Sequence, residues 1–469
     1  MKRTVSLLLA ILSCLLLLAA CNGNGGTGEP TQAETEAPVT HLDRVPELDF
    51  GGEKVKVLTW TEQAEWDWVE NAELAETIDS ALFRRQENIQ SRFNVEFEVI
   101  KREGAWASRE SYVNTIRMSI ENDTGYDLIA SHPSSAAAAT VAGYFKDLNT
   151  VPYIDHAQPW WPDDIWNTCQ INEHLYFATG DISSTAIRSI SCMILNLNIY
   201  NSLGFEESIY DIVERGEWTM EKFKSYGIDL MGDYLNGEAY GITIGSNVEF
   251  DNLFYGAGFR YVTVDESDGL LMLSDDVMSE NLDTWFGIVQ DLFTDHDDVA
   301  ITPIDAAFTS GYSLWFLGYL SNVQEYLSNV TFDFAVVPYP KYDSKQTEYK
   351  TVNGWWLTMY SVPTNLRSPE LSGALLEALG SEGARIVTPA VYEASFKYRY
   401  LRTEKNAIMF DLLHDTLVFD AGRIFCDQLD KIGYAFRQAS DDTVNWVHYR
   451  DERYDGWDRA LRGVLRSFA

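Results

Sequence analysis

The side chains suited to chemistry in this sequence are mostly aromatic or acidic, and they gather in short stretches. Trp60, Glu62, Trp66 and Trp68 share one stretch, Ser131, His132 and Ser134 another, and Trp355 and Trp356 are adjacent. Aromatic faces beside hydrogen-bonding groups can hold a small molecule. Catalytic signatures are missing: there is no Gly-x-Ser-x-Gly, His-Glu-x-x-His, phosphate-binding loop or Gly-x-Gly-x-x-Gly. A glycoside hydrolase would need only two carboxylates at the right separation. Among 71 acidic residues such a pair arises by chance, so its presence decides nothing. Asp265 to Gly269 has the look of a calcium loop without its twelve-residue ligand pattern, and reads as a hairpin turn. No cysteine lies in a CxxC or Cys/His metal spacing, so neither metal nor cofactor is expected.

Those stretches need elements to position them. Val55, Val57 and Thr59 alternate as a first strand, and Ile78, Leu82, Ile89 and Phe93 share one side of a helix. Val95, Phe97 and Val99 predict a second strand, Val113, Ile116 and Ile120 a helix that Gly125 ends, and Tyr126 to Ala130 a third, buried strand. This β-α-β-α-β alternation implies a largely parallel sheet, with ligands beyond the carboxyl ends of its strands. The loops Trp60 to Trp68 and Ser131 to Ser135 are therefore expected to face a site. Met193 to Leu197 and Phe332 to Val337 read as strands, Asp283 to Phe293 as a helix, and Trp457, Leu461, Val464, Leu465 and Phe468 as an amphipathic closing helix.

The N-terminus reads as an address. Lys2 and Arg3 precede the apolar run Val5 to Ala20, and Leu18-Ala19-Ala20-Cys21 resembles the lipobox of bacterial lipoproteins, whose Cys sulfur receives a diacylglycerol. An ordinary cleavage site beside a chance Cys is the alternative. Asn22 to Leu48 is polar, a solvated tether. The expectation is a body held at the extracellular side of a cell membrane by a lipid. Of the remaining cysteines, Cys169, Cys192 and Cys426 allow one disulfide at most, and free thiols are the default. Losing Lys2 and Arg3 takes the formal net charge from −36 to −38. That sign repels phosphate backbones, which argues against nucleic acid, and slightly favours a neutral or cationic ligand, though a cleft need not follow the net charge.

From about Gly51 onward, several segments occur in an order that resembles the extracellular solute-binding proteins of ABC importers, in particular the maltose-binding-protein-like group. Tyr126-Asp127-Leu128-Ile129-Ala130, followed by Gly143-Tyr144-Phe145-Lys146-Asp147-Leu148, is similar to the family's strand before a ligand loop. Glu173-His174-Leu175-Tyr176-Phe177 resembles its Gly-x-x-Tyr-Gly turn without the glycines. Asn196 to Tyr200, then Gly216-Glu217-Trp218-Thr219-Met220-Glu221-Lys222-Phe223 and Gly241-Ile242, resemble its Thr-Trp-Asp-Glu-Phe region. Phe308 to Leu314 resembles the entry to a binding loop, and Asp333 to Lys341 its Gly-x-x-Pro-x-Pro strand end.

The resemblance implies an α/β fold of two lobes joined by hinge strands, with a ligand cleft between them. Residues 49–186 and 355–402 would form one lobe, 187–354 and 403–469 the other, after a signal at 1–20 and a lipidated Cys and tether at 21–48. Crossings are expected near Ile187, near Asn353-Gly354 and near Tyr400 to Lys405. It further implies a monomeric receptor, not an enzyme, that passes a sugar or oligosaccharide to permease subunits. The same fold with a peptide or polyamine ligand, or a surface hydrolase, are the alternatives. Sugars offer hydroxyls and a flat C–H face, so Trp or Tyr platforms beside polar groups are sought. Trp60, Glu62 and Trp66 would serve after the first strand, with packing as the other role for the tryptophans. Ser131, His132 and Ser134 would serve after the third, where the family often places an acid. Asp181 either turns toward the ligand or caps a helix, and Arg188 stands near the first crossing. Trp315 and Tyr319 are expected in a loop or helix start after Gly311, one of them in a core. Of Trp355 and Trp356, strand alternation predicts that one reaches the cleft and the other packs inside. Trp160-Trp161 is equally consistent with a sub-cleft and with packing.

Overall fold

The computed structural model describes residues 42–70, 77–228, 230, 239–396 and 404–468. The signal at 1–20, Cys21, most of the tether and most of the crossing at Tyr400 to Lys405 lie outside the described residues.

β1 (Glu53–Trp60), α1 (Thr77–Phe93), β2 (Val95–Arg102), α2 (Arg109–Glu121), β3 (Leu128–Ser131) and α3 (Pro133–Val141) follow the alternation read from the sequence. β1 pairs in parallel with β2, from Glu53 opposite Val95 to Trp60 opposite Arg102, and with β3, Val57 opposite Leu128. β11 (Met359–Ser361) closes this sheet antiparallel to β3, giving the order β11-β3-β1-β2. Period-two alternation divides the strands between two apolar layers. Val55, Val57, Leu128 and Ala130 join the main core, while Leu58, Trp60 and Ile129 join a smaller cluster with Tyr112, Ile116 and Phe145.

The second sheet has the order β10-β4-β9-β5-β8. Its strands are β4 (Ser191–Asn196), β5 (Tyr240–Ile244), β8 (Val299–Ile301), β9 (Ser313–Tyr319) and β10 (Phe334–Val337). Between β5 and β8 the chain inserts α4 (Phe250–Gly256), the hairpin β6 (Val262–Val264) and β7 (Leu271–Leu273), and α5 (Glu280–Thr294). Asp265 to Gly269 is the turn of that hairpin, as read. β9 corrects one expectation. Trp315 stands in neither a loop nor a helix start but in a strand, Ser313 to Tyr319, between β4 and β5 and buried at every position, while Tyr319 ends that strand as the N-cap of the helix Leu320–Tyr326. With both faces covered, its sequence is a continuous apolar run and shows no alternation. α6 (Pro369–Glu382), α7 (Glu404–Asp415) and α8 (Trp446–Arg466) complete the helices used below.

The segments that cross between the two α/β sheets, the waist, pair with one another. There Ile190 bridges Asn353 antiparallel, the Ser191 N–H donates to the Val352 carbonyl at 2.9 Å, and the Gly354 N–H to Ser189 at 2.7 Å. Leu417 bridges Thr351 beside them in parallel. Cys169, Cys192 and Cys426 are free and buried, and burial pushes each thiol up, Cys426 to about 12. Among the described residues no helix is long and apolar enough to cross a membrane, and no cluster could hold a metal ion.

Candidate functional site

At the carboxyl end of β3 the chain turns into α3, and His132 caps that helix. Its Nδ1 accepts the Ser134 N–H at 3.1 Å, and Pro133 occupies the first turn, where its missing N–H costs nothing. Burial pushes the imidazole down to about 4, so the ring is neutral at physiological pH. The ring meets Trp60 edge to face, centroids 5.4 Å apart. Trp60 is only 2% exposed and donates Nε1–H to Thr358 at 3.0 Å, so it supports His132 from within the smaller core. Ser131 and Ser134 are buried beside it.

Trp106, 48% exposed, stands in the loop after β2, with the Arg109 guanidinium 4.3 Å from its ring centre. Arg109 Nε reaches the Asp427 carboxylate at 2.9 Å. Opposite, the 3-10 helix Ile432–Ser440 presents Tyr434 and Arg437. Trp106, His132, Trp355, Tyr434 and Arg437 together line a cavity of about 310 Å³. It therefore draws on the strand ends of the first sheet, the waist, and the helices packed on the second sheet.

Trp355 is held by charge. Its Nε1–H donates to Asp251 at 2.5 Å, and the same carboxylate accepts Arg437 Nε and Nη2 at 3.0 and 2.7 Å. Asp251, on α4, is 2% exposed. Arg423 and Arg437 place their guanidinium carbons 4.7 and 5.0 Å from the Trp355 ring centre, where a cation gains from the ring quadrupole.

Trp356 faces other neighbours. Trp66 meets it edge to face at 5.1 Å and Tyr319 at 6.3 Å, while the Arg188 guanidinium lies 3.4 Å over Trp66. Gly354 to Leu357 forms a turn, and both tryptophans are half-buried. Trp355 lines the cavity and Trp356 packs against the smaller core, the division expected of the pair, but a turn and not strand alternation produces it.

The other sequence-predicted residues sit apart from this cavity. Glu62 is exposed and accepts the Gly104 N–H at 3.1 Å. Asp181 is 4% exposed and bonded to His414 Nε2 at 3.0 Å and the Thr388 hydroxyl at 2.7 Å; it caps no helix. Trp315 is fully buried, stacked on Trp218 at 5.1 Å, with Nε1–H donating to the Tyr226 carbonyl. Trp160 and Trp161 are buried, Trp161 donating to Glu377 at 2.9 Å. Sequence reasoning missed Trp106, Asp251, Arg423, Tyr434 and Arg437. Asp251 and Arg423 carried a signal: each is a charge inside a largely apolar run, FDNLFYG and AGRIF.

No family model matches the sequence, and no curated protein matches it. Solved structures do. A cyclic alpha-maltosyl-1,6-maltose binding protein from Arthrobacter globiformis aligns over 88% of this chain and 99% of its own, at 13% identity and TM-score 0.58. An ABC substrate-binding protein from Listeria monocytogenes, in complex with cycloalternan, aligns over 88% and 99%, at 11% identity and TM-score 0.55. UgpB from Mycobacterium tuberculosis, in complex with glycerophosphocholine, aligns over 87% and 98%, at 12% identity and TM-score 0.57. The chain has the fold of the ABC-transporter solute-binding proteins, two α/β lobes with a cleft at their junction.

Proposed function

We propose that this chain is the solute-binding receptor of an ABC importer, anchored by a lipid on Cys21 at the extracellular face of the membrane. It captures a sugar or oligosaccharide and delivers it to the permease. The observation that carries this reading is the 310 Å³ cavity at the waist, where Trp106, Trp355 and Tyr434 offer aromatic faces beside Arg437 and His132. Aromatic faces with convergent polar groups suit a ring of C–H and hydroxyl groups. Two of the similar proteins named above support it, one a cyclic alpha-maltosyl-1,6-maltose binding protein and one in complex with cycloalternan. A ligand touching both walls favours the closed arrangement, because it shifts the balance only by binding that form better. The chain acts as a binding protein and leaves its ligand chemically unchanged.

The test is a thermal-shift screen of the whole purified chain against mono- and oligosaccharides, amino acids, peptides and polyamines, with recovery of each hit. A saccharide that stabilises and returns intact supports the receptor; turnover of the hit, or stabilisation by polyamines or peptides alone, overturns it. Anchoring is checked by feeding expressing bacteria a tagged fatty acid, which should label the protein and fail to label Cys21→Ser.

A further inference from the structure

The wall that carries Trp355 gathers the cations Arg109, Arg423, Lys431 and Arg437 with the carboxylates Asp251, Asp420 and Asp427, in a chain whose formal net charge is −36. Arg423 and Arg437 share one carboxylate, Asp251, and Arg437 and the Trp355 indole already occupy it. Arg423 Nε stands 3.7 Å from Asp251, beyond hydrogen-bond reach. Arg423 is 7% exposed, and its Nε and Nη2 make no hydrogen bond with any described residue. Asp420, the other carboxylate of this corner, is engaged by the N–H groups of Tyr261, Val262 and Gly422 and by the Tyr255 hydroxyl. Farther along the wall, Arg109 and Lys431 share Asp427. A buried cationic donor without an acceptor is costly, and a planar guanidinium is matched best by a carboxylate or another oxyanion. A narrow space bounded by Pro133, Trp355, Asp420 and Arg423 adjoins the Trp355 ring that also lines the larger cavity.

We propose that the captured saccharide is acidic, carrying a ring carboxylate or sulfate ester that the Arg423 and Arg437 guanidiniums receive beside Trp355. This rests on the sugar-receptor reading and sharpens it to a substrate class.

Calorimetric titration of the whole purified chain tests this with matched pairs: uronate trisaccharides against their methyl esters, and sulfated against desulfated oligosaccharides. The expected result is at least about tenfold tighter binding of one acidic member than of its neutral partner, the size of a charge-assisted contact. The pair that responds tells carboxylate from sulfate. Arg423→Gln should lower that ratio several-fold. Should Arg423→Gln misfold, the wild type still decides: affinity for the acidic form alone should fall as salt rises from about 50 to about 500 mM. Neutral forms binding as well as acidic ones overturn the inference and leave the sugar receptor standing. Succinate or glycerol phosphate binding with no saccharide, or no binding at all, overturns both.

Discussion

Trp355 and Trp356 are adjacent in the chain and half-buried to a similar degree, yet their surroundings have little in common. Around Trp355 the contacts are ionic: Asp251 on the indole N–H, and two guanidiniums near the ring. Around Trp356 they are aromatic, with Trp66 and Tyr319 both edge to face. The turn at Gly354 to Leu357 sends the two side chains into different company. A tryptophan's role therefore depends on what its N–H and faces meet, more than on how buried it is.

That contrast can be broken at its ionic end first. Asp251→Ala should destabilise the protein by about 3–5 kcal/mol, because it leaves two mostly buried guanidiniums facing each other without a counter-ion. Chemical denaturation measures this, and a loss under about 1 kcal/mol would mean the ionic side does not organise Trp355. His132 gives the next effect, on the order of 2 kcal/mol. Burial holds its pKa at about 4 against an ordinary 6.5, so the unfolded chain takes up the proton first. The stability is complete above about pH 6.5 and is lost as pH falls toward 4, and a His132→Asn variant should lack that part of the acid loss. NMR titration of the ring checks it directly: a midpoint near 6.5 contradicts the burial argument.

On the aromatic side the effects shrink. Trp356→Ala should cost about 1–2 kcal/mol, from two edge contacts and partial burial. Trp355→Ala should instead abolish solute binding, so equal affinities in the two variants would erase the distinction. Smallest is Arg188→Gln, about 0.5–1 kcal/mol for the cation over Trp66, read from thermal midpoints.

Much of the fold was legible because burial in the first half follows simple periods. Val55, Val57 and Leu58 alternate between two layers, and Ile89 and Phe93 lie a helical turn apart on a buried face. β9 was not legible, since a strand covered on both faces writes no alternation. The closing helix was read short: α8 begins at Trp446, and its first turns carry charges such as Arg450 that are buried by pairing with Asp283. Of the residues that line the cavity, His132 after β3 and Trp355 at the waist were legible, because strand ends and aromatic pairs mark themselves in sequence. The opposite wall was not. Tyr434 and Arg437 reach the cavity from a 3-10 helix more than 300 residues after β3, a juxtaposition only tertiary packing makes. Trp60 and Trp315 show the converse, since an aromatic at a strand end or in a central strand is as well placed for a core as for a ligand.

The three thiols of the folded body have a practical consequence. Each thiol is buried and held protonated far above neutral pH, so thiol-directed reagents, which need accessible thiolate, find almost nothing to modify. With Cys14 and Cys21 replaced by serine, a single cysteine at exposed Ala107, next to Trp106 on the cavity rim, would be the one reactive position. An environment-sensitive dye attached there would turn the native protein into its own optical gauge of solute capture, with none of the interior sulfurs disturbed.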